Sequence, residues 1–324
     1  MIMRRYTLIG LCTLIGLMSD EGFAQEYVRR TGFIFLQFPT SARTMALGEA
    51  GVGLIGSGQA ILYNPAGLAF MEGREAYFTY VDWIFSTKHY VAGVSANVPR
   101  IGTFGLSVVN HDIGPVRFEN TTQETSKYAI SVAYGGMITD RIAVGTTLKL
   151  IHESYSWEDH KQNVFAVDLG TYFATGLRNT VIAMGVENLS TSGLGEPEQG
   201  GLPKNMRLGV LIDVVALMDV GPLLHNLDLV VDVNNPNDSE DGFYTDIGIE
   251  YTYMYQTAIG DMLGFSLRAG HQKRPRSLID PNTLGIGVLF KTHGIGLKVD
   301  YTSKSFGALF DDERVHILSV AFNF

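Results

Sequence analysis

One cysteine, Cys12, is present in 324 residues, so no disulfide can form within the chain. The fold must rest on packing and hydrogen bonding. Basic residues are scarce: 24 Lys and Arg stand against 33 Asp and Glu, a formal net charge of −9, with no basic run or aromatic-basic stripe. That balance excludes a nucleic-acid surface. No Gly-x-Ser-x-Gly occurs, and no nucleophile is paired with a histidine, so no enzyme, catalytic residue or cofactor is expected. The last absence is the least ordinary. Hydrophobic residues make up 46% of the chain and the mean hydropathy is +0.12. Yet no apolar run after residue 25 approaches the roughly 20 residues that a spanning helix needs. The apolar content is dispersed in short pieces.

The first residues, MIMRRYTLIGLCTLIGLMSDEGFAQ, carry the three parts of a secretory signal. Arg4 and Arg5 form a basic start, Tyr6 to Met18 an apolar stretch, and Gly22-Phe23-Ala24 a small-residue cleavage site before Gln25. A retained anchor helix is the alternative, but the run is short and charges follow it closely. Cys12 follows Leu11 rather than a small residue, which argues against lipoprotein acylation. Cleavage near Ala24 is expected, leaving an exported, cysteine-free protein.

The last residues, HILSVAFNF, alternate. Leu318, Val320, Phe322 and Phe324 share one face; Ser319, Ala321 and Asn323 share the other, with Ile317 out of step. A chain that stops on Phe after such a strand resembles the assembly signal of bacterial outer-membrane barrels, with Phe322 and Phe324 as the signal residues. The same period of two recurs from residue 74 onward. Phe104, Leu106 and Val108 oppose Thr103, Gly105 and Ser107; Leu284, Ile286, Val288 and Phe290 oppose Gly285 and Gly287. About fourteen such segments are predicted, near 74–84, 87–98, 101–110, 126–136, 140–152, 161–174, 179–189, 204–216, 225–234, 242–254, 262–271, 282–291, 294–302 and 314–324. Each runs roughly ten residues, the length of a tilted strand crossing hydrocarbon. Short connections alternate with long polar ones such as HDIGPVRFENTTQET, SYSWEDHK and STSGLGEPEQGGLP. A membrane barrel sorts its loops in this way; a soluble sandwich does not. The expectation is an all-β, transmembrane antiparallel β-barrel of about 14 strands over residues 74–324, in the bacterial outer membrane. Tyr77, Tyr80, Trp83, Tyr90, Tyr251, Tyr253, Tyr255 and Tyr301 suit interfacial girdles.

Residues 25–73 do not alternate. Gly32 to Phe38 is apolar and aromatic, and Thr40 to Phe70 is rich in small residues. A leading stretch with no outlet to lipid is expected to fold into the lumen as a hatch. It contains Gly51-x-Gly53-x-x-Gly56, the spacing that cradles a pyrophosphate between a strand and a helix. No strand–helix–strand context surrounds it, so these glycines are read as sites of close backbone packing. Asn64-Pro65 fits a helix start, with Asn as cap and Pro in first position.

SARTMALGEAGVGL (41–54) followed by ILYNPAGLAF (61–70) resembles the hatch of the long-chain fatty-acid transporter superfamily, the FadL-like barrels. The Ser-Ala-Arg-x-Met-Ala-Leu-Gly wording is closer to the PorV/PorQ branch. The resemblance implies a plugged fourteen-stranded barrel, with Asn64, Pro65, Ala66 and Gly67 in the hatch motif. It also implies a role: a scaffold or shuttle for exported proteins in type IX secretion. The alternative is a FadL-like channel for fatty acids or other hydrophobic compounds, whose ligand would pass Phe33, Phe35 and Phe38. Implied partners are outer-membrane lipid and lipopolysaccharide, the barrel-assembly machinery, and secretion components with their cargo or a hydrophobic ligand.

Thirteen charged side chains are expected on the inner wall: Arg141, Lys149, Asp168, Glu187, Arg207, Asp213, Asp228, Asp232, Asp246, Glu250, Arg268, Lys298 and Asp300. Cross-barrel ion pairs and hatch contacts are the plain reading of such a set. A heavily charged lining favours the scaffold over a greasy route. Gly114-Pro115 could interrupt strand pairing and open the wall, although a loop turn is the simpler role. His152, His160 and His271 are placed in or near solvated loops. Asp232 to Asp241 is acidic but lacks the positional pattern of a calcium loop.

Overall fold

A backbone immersed in hydrocarbon must satisfy every N–H and C=O internally, which for strands means closing the sheet. A computed structural model describes residues 32–118, 121–156, 160–177, 179–190, 201–218, 225–237, 242–258, 260–273, 280–307 and 313–324. The expected signal segment, residues 1–24, lies outside them. Fourteen antiparallel strands close into a barrel. They are β1 (Arg74–Asp82), β2 (Lys88–Val98), β3 (Gly102–Asp112), β6 (Thr125–Met137), β7 (Ile142–Tyr155), β8 (His160–Ala174) and β9 (Val181–Leu189). The circuit continues with β10 (Asn205–Asp213), β11 (His225–Pro236), β12 (Tyr244–Gln256), β13 (Met262–Lys273), β14 (Asn282–Thr292), β15 (Ile295–Ser305) and β16 (Arg314–Asn323). Each pairs with its neighbour in sequence, and β1 pairs with β16 from Glu75↔Asn323 to Asp82↔His316.

All fourteen expected segments are strands, and the differences lie at their ends. The stretch expected as 204–216 stops at Asp213, where Asp213 Oδ1 accepts a hydrogen bond from Ala216 N at 2.8 Å. That cap starts a helical turn, Val214–Met218, in place of further strand. Half of the SYSWEDHK connection is ladder, because β7 runs to Tyr155 and β8 begins at His160, its register partner. The connection after β3 contains a hairpin, β4 (Val116–Phe118) paired with β5 (Thr121–Gln123). Gly114 is a turn residue: its N–H donates to Asp112 Oδ1 at 2.8 Å, and β3 pairs with β6 without a break from Thr103 to Asn110. The wall is not opened there.

The alternation sorts side chains as expected. Phe104, Leu106 and Val108 face outward, whereas Thr103 and Ser107 are buried inside. Leu284, Ile286, Val288 and Phe290 on β14, and Tyr251, Tyr253 and Tyr255 on β12, are likewise exposed on the exterior. This apolar outer band is what a bilayer core demands of a barrel wall. Two assignments change. Tyr77 points into the lumen and is buried, and Trp83 packs inside on Phe38, so neither belongs to an outer girdle. Arg141 is exposed in the turn before β7, 3.8 Å from Asp140, and does not line the inner wall.

The seam carries the last strand's aromatics outward. Phe322 lies opposite Ala76, its ring 5.7 Å from that of Phe324, and both are exposed. Phe324 and Arg74 exchange backbone hydrogen bonds at 2.9 and 3.0 Å. On the inner side Asn323 Nδ2 donates to Glu75 Oε2 at 2.9 Å. Ile317, out of step in the sequence pattern, is buried inside.

Candidate functional site

The lumen is occupied by the chain's own residues 32–73. Small side chains and short helical turns let this stretch lie flat against the wall. One helical turn spans Ala42–Ala46, and 3-10 turns span Ile34–Gln37, Gly58–Leu62 and Pro65–Phe70. Asn64 and Pro65 play the parts expected of them: Asn64 Oδ1 accepts from Ala66 N at 3.1 Å, and Pro65 fills the first helical position. The same Asn64 amide also donates to Val52 O at 2.8 Å and to Thr171 O of β8 at 3.3 Å. It therefore ties the segment to itself and to the wall. Asn64, Pro65, Ala66 and Gly67 are all buried.

The wall accommodates them by lacking side chains. Gly135, Gly145, Gly170 and Gly185 stand in register across β6 to β9. A Cβ at Gly135 would sit 2.5 Å from Pro65 O, and one at Gly145 or Gly170 would overlap Pro65 or Asn64. The pattern continues on the far side, where a Cβ at Gly248 would meet Leu47 at 2.6 Å and one at Gly285 would meet Ala46 at 2.5 Å. Only a bare backbone permits this approach.

The Gly51-x-Gly53-x-x-Gly56 stretch does hold an anion, but an internal one. The amides of Gly51 and Val52 donate to Asp232 Oδ2 of β11 at 2.7 and 3.0 Å. Gly53 abuts Leu211 of β10, and Gly56, at φ +76°, serves a turn that a side chain would strain. Asp232 is therefore committed inward, and Asn234 donates to Asp246 Oδ2 at 2.9 Å. These two residues are unavailable to a loop calcium site; residues 238–241 lie outside the described residues.

Most of the inner-wall ion pairs gather on one side, although Glu75 of β1 is also buried and Lys127 of β6 pairs with Glu153 of β7 at 3.0 Å. From β7 through β15 the inner wall carries Lys149–Asp168 at 2.6 Å, Arg207–Glu187 at 3.2 Å, and a chain in which Arg268 meets Glu250 at 2.6 Å and Asp300 at 2.7 Å. Lys298 extends that chain at 3.5 Å from Asp300. The N-terminal segment plugs into it: Arg43 meets Glu250 Oε2 at 2.6 Å, and Arg207 Nη2 donates to Glu49 O at 2.7 Å. Burial opposes the charge on Arg43, but the adjoining Glu250 carboxylate outweighs that penalty and raises its pKa. Asp246 and Glu250, four residues apart on one strand, are held by Asn234 and by two arginines.

The other side is apolar. Tyr77 on β1, Val91 on β2, Val109 on β3, Ala129 on β6, Ile151 on β7, and Val164 and Ala166 on β8 are all buried and form one cluster. Phe33, Phe35, Leu202 and Ala321 of β16 complete it. Phe33 holds a left-handed φ of 55°, a strained conformation for a bulky residue. Phe38 sits above, its ring 4.7 Å from those of Trp83 and His111. The three phenylalanines expected at a ligand route thus lie at an apolar wall, which they cover themselves.

The histidines divide. His152 is buried against Tyr128, ring centroids 4.7 Å apart, with Nδ1 at 2.8 Å from Asn163 Oδ1, so it is not solvated. His271 is exposed and 3.0 Å from Asn282 Oδ1; the side chain of His160 lies outside the described residues. Sequence reasoning missed His89 and His111, a buried cross-strand pair on β2 and β3, and Glu75, which accepts from Gly58 N at 2.7 Å. Their inward parity on regular strands was the available signal. The glycine belt also had one, since Gly145, Gly209, Gly248 and Gly285 all oppose apolar outward residues.

No family model matches this chain, and no curated protein does. Solved structures do match in fold. A FadL homologue from Pseudomonas aeruginosa aligns at TM-score 0.53 and 10% identity, over 89% of this chain and 98% of that one. The Pseudomonas putida toluene transporter TodX aligns at TM-score 0.56 and 10% identity, over 92% and 98%. CymD, a monoaromatic hydrocarbon channel, aligns at TM-score 0.54 and 8% identity, over 91% and 99%. The chain has the fold of the FadL-like barrels.

Proposed function

We propose that this protein is a bacterial outer-membrane channel for hydrophobic compounds, with residues 32–73 as its hatch. The supporting observation is the continuous apolar wall from β1 to β8, covered by Phe33 and Phe35. A heavily charged lining argued for a scaffold, but most of the ion pairs gather on one side and are spent on each other and on the hatch. A greasy guest has the other side. The toluene transporter and the monoaromatic hydrocarbon channel that share this fold suit the same reading. Uptake of a radiolabelled aromatic hydrocarbon and of a long-chain fatty acid should slow in a deletion strain and recover on complementation. Unchanged uptake of both would overturn the proposal.

One observation favours a second reading, the PorV/PorQ-like scaffold for type IX secretion. The hatch is locked by buried ion pairs and by a glycine belt shaped to its backbone, as a permanently closed barrel would need. Its loop-borne partners would then be secretion components and exported proteins. Loss of surface-attached exported proteins from the deletion strain, with normal uptake, selects this reading.

A further inference from the structure

On the channel reading, the apolar wall has an anomaly that bears on what passes. His89 and His111 face each other across β2 and β3 at the loop end of the lumen, ring centroids 5.7 Å apart. His89 is fully buried, and neither of its ring nitrogens has a hydrogen-bond partner. His111, also buried, leaves Nδ1 without one. Buried polar atoms are ordinarily satisfied, because leaving them bare forfeits their hydration for nothing. Here the facing group is Phe38, whose ring lies edge-on to both imidazoles and has no polar atom to offer. Just below the pair, Val91 and Val109 begin the apolar wall.

We propose that the two histidines form the head-group site for a hydrophobic molecule bearing a hydroxyl, an alcohol or phenol, whose hydrocarbon body lies along the β1–β8 wall. A neutral imidazole presents one donor and one acceptor. A hydroxyl is the smallest group that supplies both complements, whereas a hydrocarbon supplies neither and an ether oxygen only accepts. A carboxylate is disfavoured because the neighbouring cation, Lys127 on β6, already pairs with Glu153 at 3.0 Å. The inference rests on the channel reading and narrows it from hydrophobic compounds at large to hydroxylated ones.

The test is competition binding to the purified, detergent-solubilised protein with n-decane, 1-decanol, decyl methyl ether and decanoate as probes. On the wild-type protein 1-decanol should bind about tenfold tighter than n-decane, the effect of one satisfied buried hydrogen bond, with the ether between them. In H89L/H111L the preference should vanish while n-decane binding persists. Equal affinity for n-decane and 1-decanol on the wild-type protein, or a preference for decanoate, overturns the head-group site and leaves the channel intact. Failure of every probe to bind overturns the channel reading and the head-group site together. The wild-type comparison does not depend on whether the variant folds.

Discussion

The two sides of the lumen hold the same segment by different physics. From β7 through β15, Arg43, Glu49 and the Gly51–Val52 amides are gripped by directional, charge-assisted contacts with Glu250, Arg207 and Asp232. From β1 to β8, Phe33 and Phe35 pack in one cluster with Val91, Val109, Ile151 and Val164 through contacts that have no direction, while Gly58 N and Asn64 Nδ2 keep directional bonds to Glu75 and to Thr171 O. Charge-assisted hydrogen bonds fix position, and breaking one leaves a stranded ion. Apolar contacts can be exchanged for those of another apolar body at little cost. On the proposed channel reading, a leading segment held by apolar contacts at its aromatic end and by directional ones elsewhere would admit a greasy guest without leaving the barrel.

The sharpest break of this contrast is E250Q, which strands Arg43 and leaves Arg268 with Asp300. A loss of about 3–5 kcal/mol is expected in guanidinium unfolding of the detergent-solubilised protein. Raised single-channel conductance should accompany it as the hatch loosens. An unchanged unfolding midpoint would mean the ion network does not hold the segment. Next in size is G170A, whose Cβ would overlap Asn64. Overpacking there should cost about 1–3 kcal/mol in the same assay. On the apolar side F35L keeps most of the volume and should cost less than about 1.5 kcal/mol. A larger loss than for E250Q would reverse the comparison. The smallest effect belongs to G56A. A Cβ there meets nothing, so only its φ of +76° opposes the change, at roughly 1 kcal/mol. A cost equal to that of G170A would show that the belt's tight fit is not what distinguishes these glycines.

Much of the fold was legible because a membrane barrel writes its geometry locally. Phe104, Leu106 and Val108 face lipid for no reason beyond parity, and parity is visible in the sequence. The cap at Asn64 was legible too, since an Asn-Pro start needs only its own neighbours. Arg141 was misplaced because a turn of a few residues decides on which side of β7's first residue the alternation begins. Tyr77 was misplaced because an aromatic suits a girdle and a core equally; only its inward parity separates them. Pairings such as Arg43 with Glu250, 207 residues apart, leave no trace in spacing.

By itself, then, the order of residues determined strand number, the inner and outer faces, and the presence of a non-alternating leading stretch, because each follows from contacts within about ten residues. Only closure of the barrel decided that most of the ion pairs would gather away from the apolar cluster of one lumen. Which strands face each other across a cylinder depends on the whole circuit, and no local pattern records it.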